Sequence, residues 1–575
     1  MPASTAARFT SMMSLFVVLG LVMAACTPGN SGSPDTSASG GPSGSASTAT
    51  GGTVHIGWAG APDSLNPGNG LLEESYILYE LVYDTPIGLD GEGNFVPELA
   101  TDWTPSEDGL TWTLKLVDNA TFHDGTPLTS EDVKFTLELY RDTADFPYLP
   151  SYCDVCESVE APDPTTVLIH LSDAVGNFES RMAFMYILPK AIWEGVTDPI
   201  AFENKEMIGS GPFKLVENVP NEHVTLATNS DYWGTPANID GVIFQTIDNS
   251  DARVAALTNG DVDMITEFPA TAVTTLKNTE NVEVYIADEF PGSLRDVFIN
   301  QVTPENCPPD DGKCTGHPAL LDLEVRRALA TAMDKQEIVD VAKLGTATPG
   351  LTLTPLGLGD YYANEVSDYA FDVDAANKLL DDAGYKDTDG DGIRECPASM
   401  TACGPTGDLT FRFFYADDID SAPREADLLK GMWNEIGVDL TIQGLDPTGA
   451  LTAACCPAFD YDIMLWGWDS DPDPQFLLGV ATCAEVVSGF SETGYCNPEY
   501  DALYAAQGIE LDHATRVDQV HQMQQILIDD VVYMVSYYPQ DVEAFRTDRY
   551  SGWLTGPVTL GLTDPASLTV IRPVQ

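Results

Sequence analysis

Aromatic and acidic side chains are concentrated in one short stretch of the chain, YDIMLWGWDSDPDPQF at residues 461–476. Trp466 and Trp468 are followed at once by Asp469 and Asp471. Carboxylates attract a ligand's ammonium or guanidinium group, and tryptophan rings can stack on a sugar ring. The same residue types also form solvated turns and buried cores. The stretch is therefore a candidate binding surface whose role depends on its surroundings.

A strand must position these side chains. The run from Ile463 to Trp466 is short, apolar and ends at Gly467, which predicts a buried strand of about 4 to 8 residues. The prolines that follow exclude both a helix and a central strand, so the acidic loop must project from the strand's end. Because ligand crevices in open α/β sheets lie at the carboxyl ends of strands, we expect the loop to face a ligand.

Two further segments have clear local patterns. A short strand is predicted to end at Trp58, a third tryptophan that could stack on a ligand or be buried in the core. Apolar residues alternate from Trp112 to Leu116, which predicts a half-buried strand. Thr129 and Asp132 have the spacing of a capping box and predict the start of a helix.

The charge balance excludes one class of partner. The chain has 575 residues, of which 26 are basic and 89 acidic, for a formal net charge of −63. Nucleic acid is excluded because phosphate binding requires a basic surface. Most of the acids are expected on a solvated surface, but a cleft lined by some of them would favour a cationic ligand.

The N-terminus is typical of an exported lipoprotein. Arg8 precedes an apolar stretch at residues 12–25, which predicts a signal peptide over residues 1–25. The sequence Met-Ala-Ala-Cys at 23–26 is similar to the bacterial lipobox, so Cys26 is the predicted lipidation site that anchors the protein to the outer face of the cell membrane. Ordinary cleavage at the small residues is the alternative. Residues 26–53 are rich in Gly, Ser and Thr and predict a flexible tether.

Ten further cysteines suggest disulfides, because their number is even and the chain is exported. Zinc is disfavoured because only one CxxC is present. The adjacent pair, Cys455 and Cys456, can bond to each other or to other cysteines. The expected local pairs are Cys153 with Cys156, Cys307 with Cys314, Cys396 with Cys403, and Cys483 with Cys496.

Metal and catalytic motifs are weak. Asp387, Asp389 and Asp391 suggest a calcium loop, but its twelfth position would be Ala398, where a glutamate is required. A plain Asp-Gly turn is the alternative. Asp469 with Asp471 or Asp473 could form a glycosidase pair, but such pairs arise by chance among 89 acids. We therefore expect no enzyme, no cofactor and no metal.

Several segments together resemble a known family, the extracytoplasmic oligopeptide- and dipeptide-binding proteins of ABC importers, family 5. The resemblance extends over nearly everything after the tether. It implies an α/β, two-lobed periplasmic-binding-protein fold with an additional small subdomain inserted in the first lobe. The segments are PDSLNP at 62–67, FHDGTPLTSEDVKFTLE at 122–138, ILPK at 187–190, IGSGPFKL at 208–215, DARVAALTNGDVDMI at 251–265, LEVRRALATAMDKQEIV at 323–339, DAANKLLDDAGYKDTDGDGIRE at 374–395 and GYCNPEYDALY at 494–504.

The resemblance also implies domain boundaries and partners. Lobe I is expected to comprise residues 54–85, 205–299 and 539–575, with the subdomain at 86–204 and lobe II at 300–538. The crossings between lobes are expected near Phe298–Asn300 and Tyr537–Pro539. A monomer that captures a peptide between its lobes and delivers it to the importer's permease is the implied role.

The ligand contacts follow from one motif. Peptide-binding relatives resemble this chain at Gly467-Trp468, two residues, then Asp471, which implies that Asp471 contacts the ligand's α-ammonium. Asp469 and Asp473 are alternatives, because the segment just after Asp471, Pro472-Asp473-Pro474, is one residue shorter here than in those relatives. An oligosaccharide stacked on Trp466, Trp468 and Trp58 is the alternative ligand. Candidates for the ligand's carboxylate, by charge alone, are Arg295, Arg412 and Arg424.

Overall fold

The protein is described here from a computed structural model. The residues it describes are 51–90, 94–147, 149–287, 292–310, 312–403, 407–417, 419, 421–446, 450–470, 472–488, 491–555 and 561–574. The predicted signal peptide, Cys26 and most of the tether lie outside them. Among the described helices, none has the length and apolar character that a membrane crossing needs.

The first lobe is built from three separate parts of the chain. Its elements before and after the subdomain are β1 (Thr53–Trp58), α1 (Glu73–Val82), β8 (Phe213–Val219), β9 (His223–Thr228), β10 (Gly241–Thr246), α6 (Ser250–Asn259), β11 (Met264–Ile265), α7 (Val273–Lys277) and β12 (Val282–Ile286). The chain returns at its C-terminus with β19 (Val542–Arg546), β20 (Tyr550–Ser551), α17 (Pro565–Val570) and β21 (Arg572–Pro573). Within the described residues these strands give a seven-stranded sheet in the order β12-β19-β11-β1-β10-β9-β8.

The subdomain lies between α1 and β8. Its elements are β2 (Ile87–Leu89), β3 (Phe95–Pro97), β4 (Ala100–Pro105), β5 (Thr111–Leu116), α2 (Ser130–Asp142), α3 (Leu149–Tyr152), β6 (Cys156–Asp163), β7 (Thr166–Leu171), α4 (Phe178–Ala183) and α5 (Lys190–Trp193). The sheet β4-β5-β7-β6 is antiparallel. The predicted strand and helix are both present, and Thr129 and Asp132 form the capping box.

The second lobe contains the stretch of residues 461–476. Its elements are β13 (Ser293–Ile299), α8 (Leu323–Thr331), α9 (Lys335–Val341), β14 (Ala347–Pro349), α10 (Val373–Ala383), β15 (Thr410–Ala416), α11 (Ala422–Asn434), β16 (Asp439–Leu445), α12 (Thr452–Cys455), β17 (Ile463–Asp469), α13 (Gln475–Gly479), α14 (Glu485–Ser488), α15 (Pro498–Gln507), α16 (His513–Asp529) and β18 (Tyr533–Pro539). Within the described residues, the sheet order is β14-β18-β13-β17-β15-β16. Short 3₁₀ turns occupy Ala270–Ala272, Pro318–Leu321, Leu356–Tyr361, Thr401–Cys403 and Gly561–Thr563.

The first crossing lies earlier in the chain than predicted. β12 ends at Ile286 in the seven-stranded sheet, and β13 begins at Ser293 in the six-stranded sheet. The crossing therefore falls between these residues and not near Phe298, which is fully buried in the second lobe because β13 pairs with β17 on one side and β18 on the other. The second crossing lies between Pro539 and Val542, directly after the predicted segment.

The second sheet is covered on both faces, which explains the nearly continuous apolar sequence of its central strand. Val297 and Ile299 of β13 pack in one core, and Leu294 and Phe298 pack in the other. Alternate side chains of a strand point to opposite faces, so both faces must be apolar. This sheet therefore holds β17 firmly in its middle.

The disulfides confirm the predicted local pairing. All four expected pairs are bonded, and Cys455 bonds to its neighbour Cys456. Each bridge joins residues at most 13 positions apart, so the bridges constrain local loops and do not join the lobes.

Candidate functional site

The candidate site begins at the carboxyl end of β17. This strand was expected to stop at Gly467 but continues to Asp469, because it pairs with β13 along its whole length, down to Ser293 opposite Asp469. Gly467 lies inside the strand where the neighbouring backbone comes close, since a Cβ there would lie 2.2 Å from the carbonyl oxygen of Leu294. The strand therefore presents Trp466 and Trp468 close to its end.

Both tryptophans are half-buried and contact the apolar core below β17. They lie two positions apart in the strand and so point to the same face. The indole Nε1 of Trp468 donates a hydrogen bond to Oε2 of Glu492 at 2.7 Å, and its ring meets Phe476 edge-on with centroids 5.6 Å apart. Trp468 is thus held in place, with part of its surface still accessible.

The three aspartates of the loop have different surroundings. Asp469 is exposed, and Ser293 Oγ donates to its Oδ1 at 2.5 Å. Asp471, the predicted ammonium contact, lies outside the described residues. Asp473 is only 4 % exposed and forms a bidentate pair with Arg516, with N–O distances of 2.5 and 2.8 Å. Asp473 is therefore already neutralised by the protein, which removes it as an alternative ammonium contact.

Four further carboxylates lie nearby, three on the first lobe and one on the second crossing. The charge of Asp469 acts on Glu73 and Asp541, and the charges of Glu74 and Glu267 act on Glu73. Glu73 and Glu74 open helix α1, Glu267 follows the end of β11, and Asp541 lies on the second crossing between β18 and β19. Within the described part of the chain, none of the five forms a salt bridge with a lysine, arginine or histidine. We call this set the cleft carboxylates.

The pKa values show that the cleft carboxylates influence each other. Glu73 is open to solvent, yet the surrounding protein desolvates it, and this burial together with the charges of Glu267, Asp541, Glu74 and Asp469 raises its pKa to about 8. Burial, with repulsion from Glu267 and Asp469, raises the pKa of Asp541 to about 6. Carboxyl groups in a cleft whose pKa values are raised by burial and by neighbouring charges are candidates for a functional site.

Trp58 does not belong to this cleft. It is 1 % exposed, its ring stacks on Phe244 with centroids 4.5 Å apart, and its Nε1 donates to Thr246 Oγ1 at 3.2 Å. Trp58 ends a central strand of the first sheet, between β10 and β11, so its side chain packs in the core. The prediction that Trp58 stacks on a ligand is therefore wrong. Its alternative, burial in the core, is what the structure shows.

Two buried acids behind the tryptophans were not found from the sequence. Asp296 of β13 lies opposite Trp466 and is fully buried, with no hydrogen-bond partner for either carboxylate oxygen among the described residues. Burial raises its pKa to about 7, against the opposing charge of Arg295. Burial and the charge of Asp296 raise the pKa of Glu492 well above its usual range. Strand register places Asp296 opposite Trp466, and a hydrogen bond between residues 24 positions apart joins Glu492 to Trp468, so no local motif encodes either position.

The three arginine candidates differ in location. Arg412 lies near the start of β15 and binds Asp460 and Asp462, and Arg424 donates to the carbonyl of Val341. Because β15 runs parallel to β17, Arg412, near the start of β15, lies toward the opposite end of the strands from Asp469, the last residue of β17. Of the three arginines, Arg295 is the one near the carboxyl end of β17, where it pairs with Gly467.

The acidic turn of the second lobe is a separate feature. Asp387, Asp389 and Glu395 each place an oxygen within 4.8 Å of the others. Asp387 also accepts the backbone N–H groups of Gly390 and Gly392 at 2.6 and 3.1 Å. These bonds match the Asp-Gly turn that is the alternative to a calcium site. That the protein needs no metal stays a prediction.

Comparison with known proteins gives consistent results. A sequence model described as "Bacterial extracellular solute-binding proteins, family 5 Middle" matches residues 94–485. The chain is 26 % identical over 540 residues to the oligopeptide-binding protein AppA of Bacillus subtilis, covering 92 % of this chain and 93 % of AppA.

Solved structures give the same architecture. The ABC transporter substrate-binding protein CtaP of Listeria monocytogenes superposes with a TM-score of 0.77 at 27 % identity, covering 92 % of this chain and all of CtaP. AppA of Bacillus subtilis in complex with a nonapeptide superposes with a TM-score of 0.70 at 23 % identity, covering 92 % of this chain and all of AppA. The two-lobed α/β fold is thereby confirmed.

Proposed function

Because the chain belongs to the bacterial extracellular solute-binding proteins of family 5, we propose that it captures peptides between its lobes for an ABC importer. Proteins of this family bind solutes outside the cytoplasm and are not enzymes. The relative AppA is named an oligopeptide-binding protein and was solved with a nonapeptide. These names support a peptide as the ligand class.

The observation that carries the proposal is the set of cleft carboxylates. Asp469 comes from the second lobe, and Glu73, Glu267 and Asp541 come from the first lobe or the crossing, so a ligand between the lobes meets negative charge on both sides. None of them forms a salt bridge with a lysine, arginine or histidine among the described residues, although the charge of Arg253 acts on Glu267 and Glu74. A peptide's ammonium group is the cation that this arrangement suits.

In the proposed complex Asp471 pairs directly with the α-ammonium, as its position after Gly467 and Trp468 implies. Asp469, two residues earlier, adds negative potential at the end of β17. Trp466 and Trp468 form the adjoining wall and exclude water from the pair. Desolvation strengthens such an ion pair because the effective dielectric constant falls.

An oligosaccharide remains the second candidate ligand, supported by the accessible parts of Trp466 and Trp468. Of the two candidate ligands, only a peptide has an ammonium group to pair with the cleft carboxylates. Native mass spectrometry of protein purified from its own host identifies the bound ligand directly. A co-purified peptide of unchanged sequence after long incubation supports the proposal, whereas a sugar or a cleaved product contradicts it.

Delivery to a permease and lipid anchoring complete the proposed role. Cys26 lies outside the described residues, and its lipidation rests on the lipobox-like sequence before it. We expect Cys26→Ser to release the protein from the membrane fraction, as followed by immunoblotting. If the variant stays on membranes after a high-salt wash, Cys26 is not the anchor.

A further inference from the structure

The lobes touch at a place distant in sequence from the loop that follows β17 and contains Asp473, which we call the ligand loop. Gly176, just before α4 of the subdomain, donates its N–H to the carbonyl oxygen of Gly508, just after α15 of the second lobe, at 2.9 Å. A second contact lies nearby, where a Cβ on Gly109 would be 2.7 Å from Leu511 Cδ1. These contacts form an interlobe latch, defined by Gly176 and Gly109 on one side and residues 507–511 on the other.

The latch has no room for a side chain at its centre. A Cβ on Gly176 would lie 2.6 Å from the carbonyl oxygen of Glu510 and 2.9 Å from both the Gln507 carbonyl oxygen and Arg516 Nε. Real Cβ atoms do not approach backbone oxygens so closely, so any larger residue must push the lobes apart or shift the turn. The close approach of the two lobes therefore depends on glycine at position 176.

Arg516 connects the latch to the ligand loop. Its Nε donates to the carbonyl oxygen of Gln507 at 3.2 Å and to the Gln507 Oε1 at 3.1 Å, while Nη1 and Nη2 bind Asp473. Asp473 in turn accepts the N–H of Gln475 at 2.8 Å, which fixes the backbone after the loop. One buried guanidinium thus holds both the turn that the first lobe touches and the backbone around Asp473.

The link has support from the first lobe as well. Glu179 of α4 lies three residues after Gly176 and is close enough to sense the charges of Arg516 and Asp473. Tyr361 Oη accepts from Arg516 Nη1 at 2.7 Å, and its ring lies under the guanidinium, 5.1 Å from centroid to Cζ. With these partners Arg516 has a single well-defined position, and it can transmit a shift of the turn to the loop.

We propose that Arg516 is a positioning residue that couples lobe closure at Gly176 and residues 507–511 to the conformation of the ligand loop. Ligand binding at the loop and contact between the lobes then favour each other, because both require the same placement of Asp473 and the 507–511 turn. The coupling to ligand binding rests on the proposed peptide-binding function. The contact between the lobes at the latch does not.

Hydrogen–deuterium exchange tests the latch directly. The Gly176 amide is protected only when it donates to Gly508, so the full-length protein should show slow exchange at residues 174–178, alone or with a nonapeptide library bearing free amino termini. Gly176→Ala should remove the protection, and Gly195→Ala, a glycine of the same subdomain with only one atom at 3.9 Å from an added Cβ, should leave it unchanged. Equal exchange in wild type and Gly176→Ala, or no protection in wild type under either condition, overturns the latch.

Ligand dissociation tests the coupling. Losing one hydrogen bond and its packing should speed dissociation of library peptides about 3- to 10-fold in Gly176→Ala. Arg516→Lys keeps the positive charge but loses the guanidinium that binds Asp473 through two N–H groups, so it should speed dissociation by a similar factor. The dissociation rate of the double variant should be little higher than that of either single variant. If the fold-increases in dissociation rate of the two single variants multiply in the double variant, the coupling is overturned. If no library peptide binds wild type while protection at 174–178 persists, the proposed peptide function fails and the latch stands.

Discussion

Asp469 ends strand β17 and Asp473 lies four residues later in the loop, but only Asp473 has its charge matched by a salt bridge within the protein. Asp473 is buried against Arg516 with two short hydrogen bonds. Asp469 is exposed at the end of β17, where its charge acts on Glu73 and Asp541, and none of these three carboxylates forms a salt bridge among the described residues. The difference separates a carboxylate that holds the loop from one that is available to a ligand.

The physical reason lies in the cost of desolvation. A buried carboxylate without a partner is costly, so Asp473 is tolerated only because Arg516 is present. The cleft carboxylates keep contact with water, and for Glu73, Glu267 and Asp541 burial together with the neighbouring negative charges raises the pKa. A ligand's ammonium can supply the missing charge.

The largest effect is expected from breaking the buried pair. Asp473→Asn leaves Arg516 desolvated without a counter-charge, and we expect a loss of about 3 to 5 kcal/mol in the free energy of unfolding. Urea denaturation followed by tryptophan fluorescence measures this loss. A loss below about 1 kcal/mol would place Asp473 with the exposed acids and remove the distinction between the two regions.

A smaller effect is expected from pH. Below their raised pKa values, about 8 for Glu73 and about 6 for Asp541, these groups hold protons that compete with a ligand's ammonium. Binding of the cation favours the ionised forms and releases protons, so the affinity for a peptide with a free amino terminus should rise by about tenfold or more from pH 5 to pH 7, a range in which the peptide's ammonium stays protonated. Calorimetry in two buffers of different ionisation enthalpy should show this proton release. An affinity that falls over the same range would contradict the assignment.

The smallest effect is expected at an exposed ion pair. Lys190 and Glu131 meet at 2.9 Å on the subdomain, with side chains 38 % and 54 % exposed. We expect Glu131→Gln to change the free energy of unfolding by less than about 1 kcal/mol, because water screens the pair. This variant is the matched control for Asp473→Asn in the same denaturation series, and a comparable loss in both would mean that burial is not the deciding factor.

Local patterns were sufficient for much of the fold. The capping box at Thr129 and the disulfides are local in sequence, and each formed as predicted. The stretch 461–476 was placed at a strand end, although β17 extends past Gly467 because its pairing with β13 continues.

Contacts between distant residues could not be predicted from the sequence. Arg516 is 43 positions from Asp473. Glu73 and Glu267 meet through the folding of the first lobe, and Asp541 joins them where the chain crosses back to that lobe. Trp58 has the same residue type as Trp468, and only its central position in the first sheet buries it. What separates ligand-facing from structural residues here is the tertiary partner, which the sequence pattern does not contain.

The most direct test of the ammonium-binding cleft is titration calorimetry with one cognate peptide and its N-acetylated form, on wild type and Asp471→Asn. Removing one partner of a desolvated charge pair costs about 2 to 5 kcal/mol, or roughly 30- to several-thousand-fold in affinity. We predict that acetylation weakens binding to wild type by this amount and hardly affects Asp471→Asn. Equal binding of the free and acetylated peptides by wild type, or heat with oligosaccharides only, would contradict the account.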